Sequence, residues 1–413
     1  MTRRVVITGL GTVNPCGNDV PDTWRSVLEG QSGIGPVTRF DVSGQRYTLA
    51  GEVRNFDDVA LLGRKFVRRT GLFMRYAVVA ADQAMLDAGY SAEGQWPASE
   101  RLGVSIGSGV GGLPEIIEGG NSIREEGPRR FSPFFIPRSL GNVAAGLVAI
   151  RNKAEGPSMC MGTACAAGNH SIGEGWRAIR YGDADVMICG GTEAALTPVG
   201  YFGFASMKAL SKGTDSTASR PFDASRDGFV MSEGAGIIVM EELEHARARG
   251  TRIYAEVIGF GLTTDAHHVT APHPTGRGAV RSMEIALRSA GVEPADVDYI
   301  NAHGTSTAFN DVIETKAIHE VFGEHARRLA VSSTKGVTGH LLGGSGGLEA
   351  VICAKVLQTG WVPPTAHLNT PDSACDLDYI SEGKRHMRPD VVMSNGFGFG
   401  GTNAVLLFRR YEE

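Results

Sequence analysis

The chain has 413 residues, of which 42% are hydrophobic, and a formal net charge of -5. That length and hydrophobic content suffice for a large folded core, and the slightly acidic balance argues against general nucleic-acid binding. Six scattered cysteines without a C-x-x-C pair indicate neither a zinc site nor a secreted disulfide framework, so we expect reduced thiols.

The first predicted element is a β-strand near the start of the chain. Residues 2–11, TRRVVITGLG, have the pattern of a strand that enters a glycine turn, with neither an apolar h-region nor a small-residue cleavage site. No later apolar run approaches the length needed to span a bilayer. We therefore expect a cytoplasmic protein that makes no membrane contact.

A basic run follows at residues 63–69, GRKFVRR, and further basic side chains stand at Arg129, Arg130 and Lys208. Charge runs of this kind are most often solvated helix faces. The alternative is a docking surface for an acidic partner, and the run alone does not distinguish the two.

Helical patterns alternate with short β-rich runs along the rest of the chain. Residues 75–89 and 309–323 repeat apolar side chains at helical spacing, while glycine clusters at 107–112, 340–347 and 395–403 adjoin these elements. The implied unit is a strand, a tight glycine turn and a helix. This alternation predicts an α/β protein with sheets buried between helices.

Nucleotide and metal sites are both disfavoured. The glycine cluster at 107–112, GSGVGG, lacks the G-x-G-x-x-G spacing, and no acidic residue stands in a convincing ribose-binding position. Cys160, Cys165 and His170 have no fourth ligand with zinc-like spacing. We expect no metal and no bound nucleotide.

Cys165 stands among residues with almost no side chains, in GTACAAG at 162–168, directly before a helix-like run. A structural cysteine needs packing partners, whereas a thiol that meets an incoming carbon needs space and close backbone approach. Lowering a thiol pKa by two units takes roughly 2.7 kcal/mol, of which a helix N-terminus supplies about 0.3–1 kcal/mol. We therefore expect an imidazole to form a hydrogen bond with this thiol.

Two of the eleven histidines have surroundings like those of the cysteine. His303 lies in NAHGTST, after a strand-like run, and His340 ends SSTKGVTGH, before a helix-like run. Small residues flank both side chains at the ends of predicted elements. They are the candidate partners of a nucleophile.

Four blocks, GTACAAG, NAHGTST, SSTKGVTGH and NGFGFGGTN, resemble in order and spacing the active-site blocks of the β-ketoacyl-acyl-carrier-protein synthases. Long connecting stretches also resemble the elongating type II members, so the resemblance covers essentially the whole chain. It implies an α/β fold of thiolase type, a five-layered αβαβα sandwich built from two similar halves. The predicted halves are residues 1–251 with the cysteine and residues 252–413 with the two histidines.

The resemblance also implies a decarboxylative condensation that gives a 3-oxoacyl carrier protein. Cys165 would hold the acyl group as a thioester, and His303 and His340 would stabilise the enolate formed from malonyl carrier protein. The oxyanion of acyl transfer would meet the backbone N–H groups of Cys165 and Phe399.

Supporting roles follow from the same resemblance. Lys335 resembles a buried ionic partner, with Glu349, that holds a histidine in place. Thr305 and Thr307 match hydroxyls that bind the phosphopantetheine arm, although strand-end turns use threonine as well. The arm arrives on the carrier protein, so we expect no cofactor of the chain's own.

The acyl tail is expected to run past residues corresponding to Val110, Gly200 and Phe204, near the dimer interface. Tyr201 and Phe202 stand where related chains often carry smaller side chains. If either ring points into the tunnel, it favours short, medium or rigid unsaturated chains. If both rings point into the core, the tunnel is unchanged.

The expected partners are acyl and malonyl carrier proteins and a second subunit. The family's docking patch matches Lys65, Arg68 and Arg69, and we group with them Arg129, Arg130 and Lys208. A homodimer is expected, with a chain-length partner as the alternative second subunit. Fatty acid elongation is the leading function; a type II polyketide or polyene ketosynthase and a non-catalytic chain-length partner are the alternatives, and Cys165 argues against the last.

Overall fold

The computed structural model describes residues 3–90 and 96–412. Ten of its strands form one large sheet, and four short strands form two separate pairs. The strands are β1 (Val5–Val13), β2 (Gly35–Pro36), β3 (Leu49–Ala50), β4 (Leu102–Gly107), β5 (Ser158–Met159), β6 (Val186–Glu193), β7 (Gly234–Glu242), β8 (Ala255–Thr264), β9 (Tyr299–Asn301), β10 (Ala330–Ser332), β11 (Trp361–Val362), β12 (Arg385–His386), β13 (Val391–Gly398) and β14 (Thr402–Arg409).

Helices pack on the outer faces of the sheet's two halves, and two further helices pack between the halves. The helices are α1 (Val20–Glu29), α2 (Asp58–Leu62), α3 (Arg64–Val67), α4 (Leu72–Asp87), α5 (Leu113–Glu126), α6 (Phe135–Ser139), α7 (Val143–Asn152), α8 (Ala167–Tyr181), α9 (Pro198–Ser206), α10 (Leu243–Ala248), α11 (Arg277–Ala290), α12 (Asn310–Phe322), α13 (Lys335–Thr338) and α14 (Ser345–Thr359). The helices predicted at 75–89 and 309–323 are confirmed as α4 and α12.

The large sheet repeats one topology twice. Its first half has the order β5-β4-β6-β7-β1 and its second half the order β10-β9-β13-β14-β8. Numbered within each half along the chain, both orders are 3-2-4-5-1, and parallel and antiparallel pairings recur at the same places. A short antiparallel pairing of β1 with β8 joins the halves. The two halves are therefore alike in structure.

The helices α8 and α14 form a central layer between the two half-sheets. The indole Nε1 of Trp176 on α8 donates to the carbonyl of Val257 on β8, 2.7 Å away. On the other side, a Cβ at Gly236 of β7 would lie 2.1 Å from the backbone nitrogen of Leu348 in α14. With α4 and α7 on one outer face and α11 and α12 on the other, the expected five-layered αβαβα sandwich is confirmed.

The first strand differs from its prediction. Strand β1 does not end in a glycine turn but continues through Gly9 and Gly11 to Val13. A Cβ at Gly9 would lie 2.0 Å from the carbonyl oxygen of Ala84, and one at Gly11 would lie 1.9 Å from that of Ala80. These glycines therefore allow α4 to pack directly on the strand instead of turning the chain.

The predicted division between residues 251 and 252 falls between α10 and β8. It stays a prediction, because the half-sheets are joined and both pack on the same central helices. Among the described residues, no helix has the length and apolar character needed to cross a membrane.

Candidate active site

Cys165 lies in a 3₁₀ turn, Ala164–Ala166, that leads directly into α8. Its side chain is 9% exposed and lines a cavity of about 330 Å³. The preceding Ala164 has a φ of +48°, a left-handed conformation that costs a non-glycine residue energy. The strained turn holds the thiol at the junction of the cavity and the helix N-terminus.

The expected hydrogen bond between Cys165 and an imidazole is absent from the described residues. Burial raises the pKa of the Cys165 thiol to about 11, against the smaller effects of the Lys335 charge and the Phe399 backbone N–H. The structure thus corrects the expectation of a lowered pKa: the resting group at pH 7 is the neutral thiol.

His303 and His340 line the same cavity as Cys165, with ring centroids 5.5 Å apart. Burial, reinforced by the Lys335 charge, holds the pKa of both imidazoles well below 6.5. Both rings are therefore neutral at pH 7. His303 follows β9 and His340 precedes α14, so elements of the second half bring them to the cysteine of the first half.

Lys335 and Glu349 form an ion pair beneath the histidines. Both side chains are almost fully buried, and α13 and α14 carry them. Burial raises the pKa of Glu349 to about 7, and the Lys335 ammonium opposes this shift. Because the ammonium is almost fully buried, its charge acts on the cavity through the low-dielectric interior.

The glycine-rich turn after β13 covers the nucleophile. Phe399 lines the cavity, and its backbone N–H, like that of Cys165 itself, is close enough to the sulfur to lower the thiol pKa. A Cβ at Gly398 would lie 2.8 Å from the carbonyl oxygen of Thr163, so only glycine permits this approach. The backbone N–H groups of Cys165 and Phe399 therefore both oppose the effect of burial on the thiol pKa.

The hydroxyls of Thr305 and Thr307 lie along the cavity wall, 3.0 Å from each other. Thr305 is buried, whereas Met207 and Phe309, which also line the cavity, are exposed at 45% and 75%. The cavity therefore runs from solvent to the buried sulfur. Within the described residues no cluster of His, Cys, Asp or Glu has the arrangement of a metal site.

Of the five residues predicted to border the acyl tail, only Phe204 lines the cavity that contains Cys165. The ring of Tyr201 is buried in the core, where its hydroxyl donates to the carbonyl of Leu49 at 2.9 Å. Phe202 is half-buried and packs on Tyr201 and Phe40. Tyr201 is thus buried in the core, and the effect of Tyr201 and Phe202 on the acyl tunnel stays a prediction.

Val110 and Gly200, the other two predicted tail contacts, lie in different settings. Val110 is 45% exposed in the loop after β4. Gly200 is buried near the start of α9, where its backbone N–H donates to the hydroxyl of Thr197 at 3.1 Å. Neither lines the cavity that holds the cysteine.

Five of the six predicted docking residues are exposed, and none of the five forms an ion pair with a residue that the structure describes: Lys65, Arg68, Arg69, Arg129 and Lys208. The Arg69 guanidinium lies 5.2 Å from the ring centroid of Phe134. This contact connects the residues just after α3 with the segment that follows Arg129. Lys208 lines the cavity itself. Arg130 lies in the 3₁₀ turn Pro128–Arg130, and its side chain is outside the described residues.

Sequence analysis missed Glu193, a fully buried carboxylate at the end of β6. It accepts hydrogen bonds from the backbone N–H groups of Gly109 at 2.7 Å and Gly343 at 3.2 Å and from the Ser108 hydroxyl at 3.0 Å. Burial raises its pKa to about 7. It joins two glycine loops beside the cavity, a link between distant segments that no local pattern indicates.

Sequence analysis also missed Ser345, the first residue of α14. Its hydroxyl lies 2.9 Å from Nδ1 of His340. A hydroxyl five residues after a candidate histidine, within the glycine cluster at 340–347, was the available signal.

Comparison with known proteins supports one family over the whole length. The family model described as the β-ketoacyl synthase N-terminal domain matches residues 2–246, and that of the C-terminal domain matches residues 254–369. A 3-oxoacyl-[acyl-carrier-protein] synthase 2 from Synechocystis sp. is 51% identical over 412 residues, which is 99% of either chain.

Solved structures agree with this match. One is a type II PKS acyl-carrier protein in complex with its ketosynthase bound to the hexaketide, similar at a TM-score of 0.92 and 33% identity over 100% of both chains. The ishigamide ketosynthase/chain length factor is similar at a TM-score of 0.91 and 34% identity, also over 100% of both chains. The chain belongs to the β-ketoacyl synthase family.

Proposed function

We propose that the protein condenses an acyl group, held on Cys165, with malonyl-acyl carrier protein to give a 3-oxoacyl carrier protein and carbon dioxide. The observation that carries this proposal is the cavity in which Cys165, His303, His340 and the Phe399 N–H meet. A nucleophile, two neutral N–H donors and backbone donors are the groups that acyl transfer and enolate formation need.

In the first step, the Cys165 sulfur attacks the thioester carbonyl of an acyl carrier protein. The new bond joins this sulfur to the acyl carbon, and the bond from that carbon to the pantetheine sulfur breaks. The thiol proton ends on the departing pantetheine sulfur. Backbone N–H groups of Cys165 and Phe399 face the oxyanion, in keeping with their closeness to the sulfur.

In the second step, malonyl carrier protein enters with its thioester oxygen toward His303 and His340. The bond to the malonyl carboxylate breaks, carbon dioxide leaves, and the electron pair forms an enolate. Because both imidazoles are neutral, each offers one N–H to that oxygen. The enolate carbon then attacks the acyl carbon on Cys165, the bond from that carbon to the sulfur breaks, and the released thiolate takes one proton from water to restore the thiol.

Fatty acid elongation is the pathway that the comparisons favour. Relatives named 3-oxoacyl-[acyl-carrier-protein] synthase 2 reach 51% identity, whereas the two ketosynthase structures, one of a type II PKS and one with a chain length factor, reach 33–34%. A polyketide or polyene ketosynthase is the second candidate, supported by the TM-scores of 0.92 and 0.91. A non-catalytic subunit is disfavoured by Cys165 in its cavity.

The second subunit and the cellular location are further parts of this proposal. A homodimer in the cytoplasm, with phosphopantetheine supplied only by the carrier protein, follows from the family resemblance. The exposed strand β5 at one edge of the large sheet offers a surface on which a second subunit can pair.

Intact-mass measurement after incubation with carrier proteins of graded acyl length tests the function. The protein should gain the mass of one acyl group on Cys165. Addition of malonyl carrier protein should then remove that mass, with release of carbon dioxide and of a 3-oxoacyl product two carbons longer. Failure to take up an acyl group of any length would overturn the proposal.

Phe202→Gly should leave the chain-length preference unchanged. Because Phe202 packs on Phe40 and Tyr201 and does not line the cavity, its loss should lower the stability by about 1–2 kcal/mol. Relative kcat/KM values for six- to sixteen-carbon acyl carrier proteins should agree with wild type within about twofold. A gain confined to the longest chains would show instead that this ring limits the tunnel.

Reversing the charges of Lys65, Arg68 and Arg69 to glutamate should raise the KM for carrier-protein substrates by about tenfold or more. These three side chains are exposed and form no ion pair with any residue that the structure describes, so they can attract an acidic partner over roughly 10 Å at 0.1 M salt. The variant should also lose most of the salt dependence of KM. Small pantetheine thioesters should react at nearly the wild-type rate.

The matched control reverses three exposed basic residues that do not line the cavity and form no ion pair within residues 3–90 and 96–412, namely Lys316, Arg327 and Arg328. This control removes the same net charge, so a local docking role predicts a much smaller change in KM. Equal effects of the two triple variants would refute local docking. Equal losses on pantetheine thioesters and carrier proteins would indicate misfolding.

A further inference from the structure

The two imidazoles of the cavity differ in what holds them. Nδ1 of His340 lies 2.9 Å from the hydroxyl of Ser345, and both residues are 3% exposed. Nδ1 of His303, by contrast, is buried without a partner among residues 3–90 and 96–412. Only His340 therefore has a side chain that can fix the position of its ring proton.

That hydrogen bond has a preferred direction. A neutral imidazole carries one N–H, on either Nδ1 or Nε2. If Nδ1 of His340 donated to Ser345, the buried hydroxyl proton would lack an acceptor, since no other bond of this hydroxyl occurs in the described part of the chain. If the hydroxyl donates, its proton is satisfied, and the ring proton stays on Nε2.

The local backbone fixes Ser345 in this place. Leu342 has a φ of +50°, a left-handed conformation, in the short turn between His340 and the start of α14. Gly346 and Gly347, which follow Ser345, are packed closely against other segments. A Cβ at Gly346 would lie 2.0 Å from Oδ1 of Asn169, and one at Gly347 would lie 2.0 Å from the carbonyl oxygen of Gly236. The serine is therefore held at a rigid helix start.

Nε2 of His340 has no hydrogen-bond partner among the residues that the structure describes and is not one of their buried unpaired atoms, so it faces the cavity. We propose that Ser345 is a positioning residue whose hydroxyl donates to Nδ1 of His340 and keeps the ring proton on Nε2, ready to donate to the malonyl thioester oxygen. This inference rests on the proposed function. No role of this kind follows for His303, whose Nδ1 has no partner among the described residues.

Ser345→Ala tests the inference, because it removes the hydroxyl and little volume. Release of carbon dioxide from malonyl carrier protein should fall by about tenfold, since a buried acceptor loses its donor. Acylation of Cys165 should stay within twofold of wild type. Ser345→Thr, which retains the hydroxyl, should recover most of the decarboxylation rate. The matched control is Ser105→Ala, which removes a buried hydroxyl that has no partner in the described part of the chain.

Nitrogen NMR of ¹⁵N-histidine-labelled protein gives a readout independent of catalysis. The Nδ1 resonance of His340, assigned by comparison with His340→Ala, should shift in Ser345→Ala toward that of an acceptor without a donor. An unchanged resonance, or a decarboxylation rate within twofold of wild type, would overturn the inference. Equal losses in both chemical steps would do the same. If wild type releases no carbon dioxide, the proposed function fails, while the NMR comparison still tests the hydrogen bond.

Discussion

Cys165→Ala should yield a folded protein that takes up no acyl group and forms no condensation product. The side chain is small, so its truncation should cost only about 1 kcal/mol of stability. Loss of a nucleophile typically lowers turnover by at least about 10⁴-fold. Intact mass after incubation with acyl carrier protein checks acylation directly. Decarboxylation of malonyl carrier protein should persist, because the histidines remain.

Cys160→Ala is the matched control for this variant. Cys160 is partly buried five residues before the nucleophile but does not line the cavity. Its replacement should leave acylation and condensation close to wild type. Acyl transfer to Cys160 in the Cys165→Ala protein would refute the assignment of the nucleophile.

His303→Ala and His340→Ala should each lower the release of carbon dioxide by about a hundredfold or more. Each substitution removes one preorganised N–H from the oxygen on which negative charge develops. Acylation of Cys165 should be much less affected, because its oxyanion meets backbone donors. Separate assays of acyl uptake and of carbon dioxide release distinguish the two steps. Near-normal decarboxylation in either variant would show that the replaced histidine does not stabilise the enolate.

The pH dependence of the wild type provides a second check on the histidines. Burial and the Lys335 charge lower the pKa of both imidazoles in the folded protein, so they stay neutral as the pH falls from 7 to 6. Decarboxylation should therefore not decline over this interval through their protonation. A decline with a midpoint near 6.5 that disappears in a histidine variant would contradict neutral donors.

The sequence was sufficient to predict much of the site because its chemistry lies in short blocks. The small residues around Cys165 and the element ends at His303 and His340 are visible without a structure, and all three side chains line one cavity. Helical periodicity likewise predicts α4 and α12, whose apolar faces are long. Local patterns work where one element alone determines the residue's surroundings.

Features that depend on packing between distant segments were not predictable in this way. The thiol pKa of Cys165 is raised because loops from both halves bury the side chain. The sequence around the cysteine indicated only a helix N-terminus, which lowers a thiol pKa. Glu193 accepts a hydrogen bond from the hydroxyl of Ser108, which lies 85 residues earlier in the chain. The glycines of β1 resemble turn residues until α4 is placed against them.

The central layer has a consequence for synthesis on the ribosome. Helix α14 covers the inner face of β7, yet it ends at Thr359, roughly 110 residues after α10 closes the first half. At translation rates of about 5–20 residues per second, part of that apolar face stays bare for roughly 5–20 s. The nascent first half is therefore an expected client of ribosome-associated chaperones, and a chain truncated before α14 should aggregate.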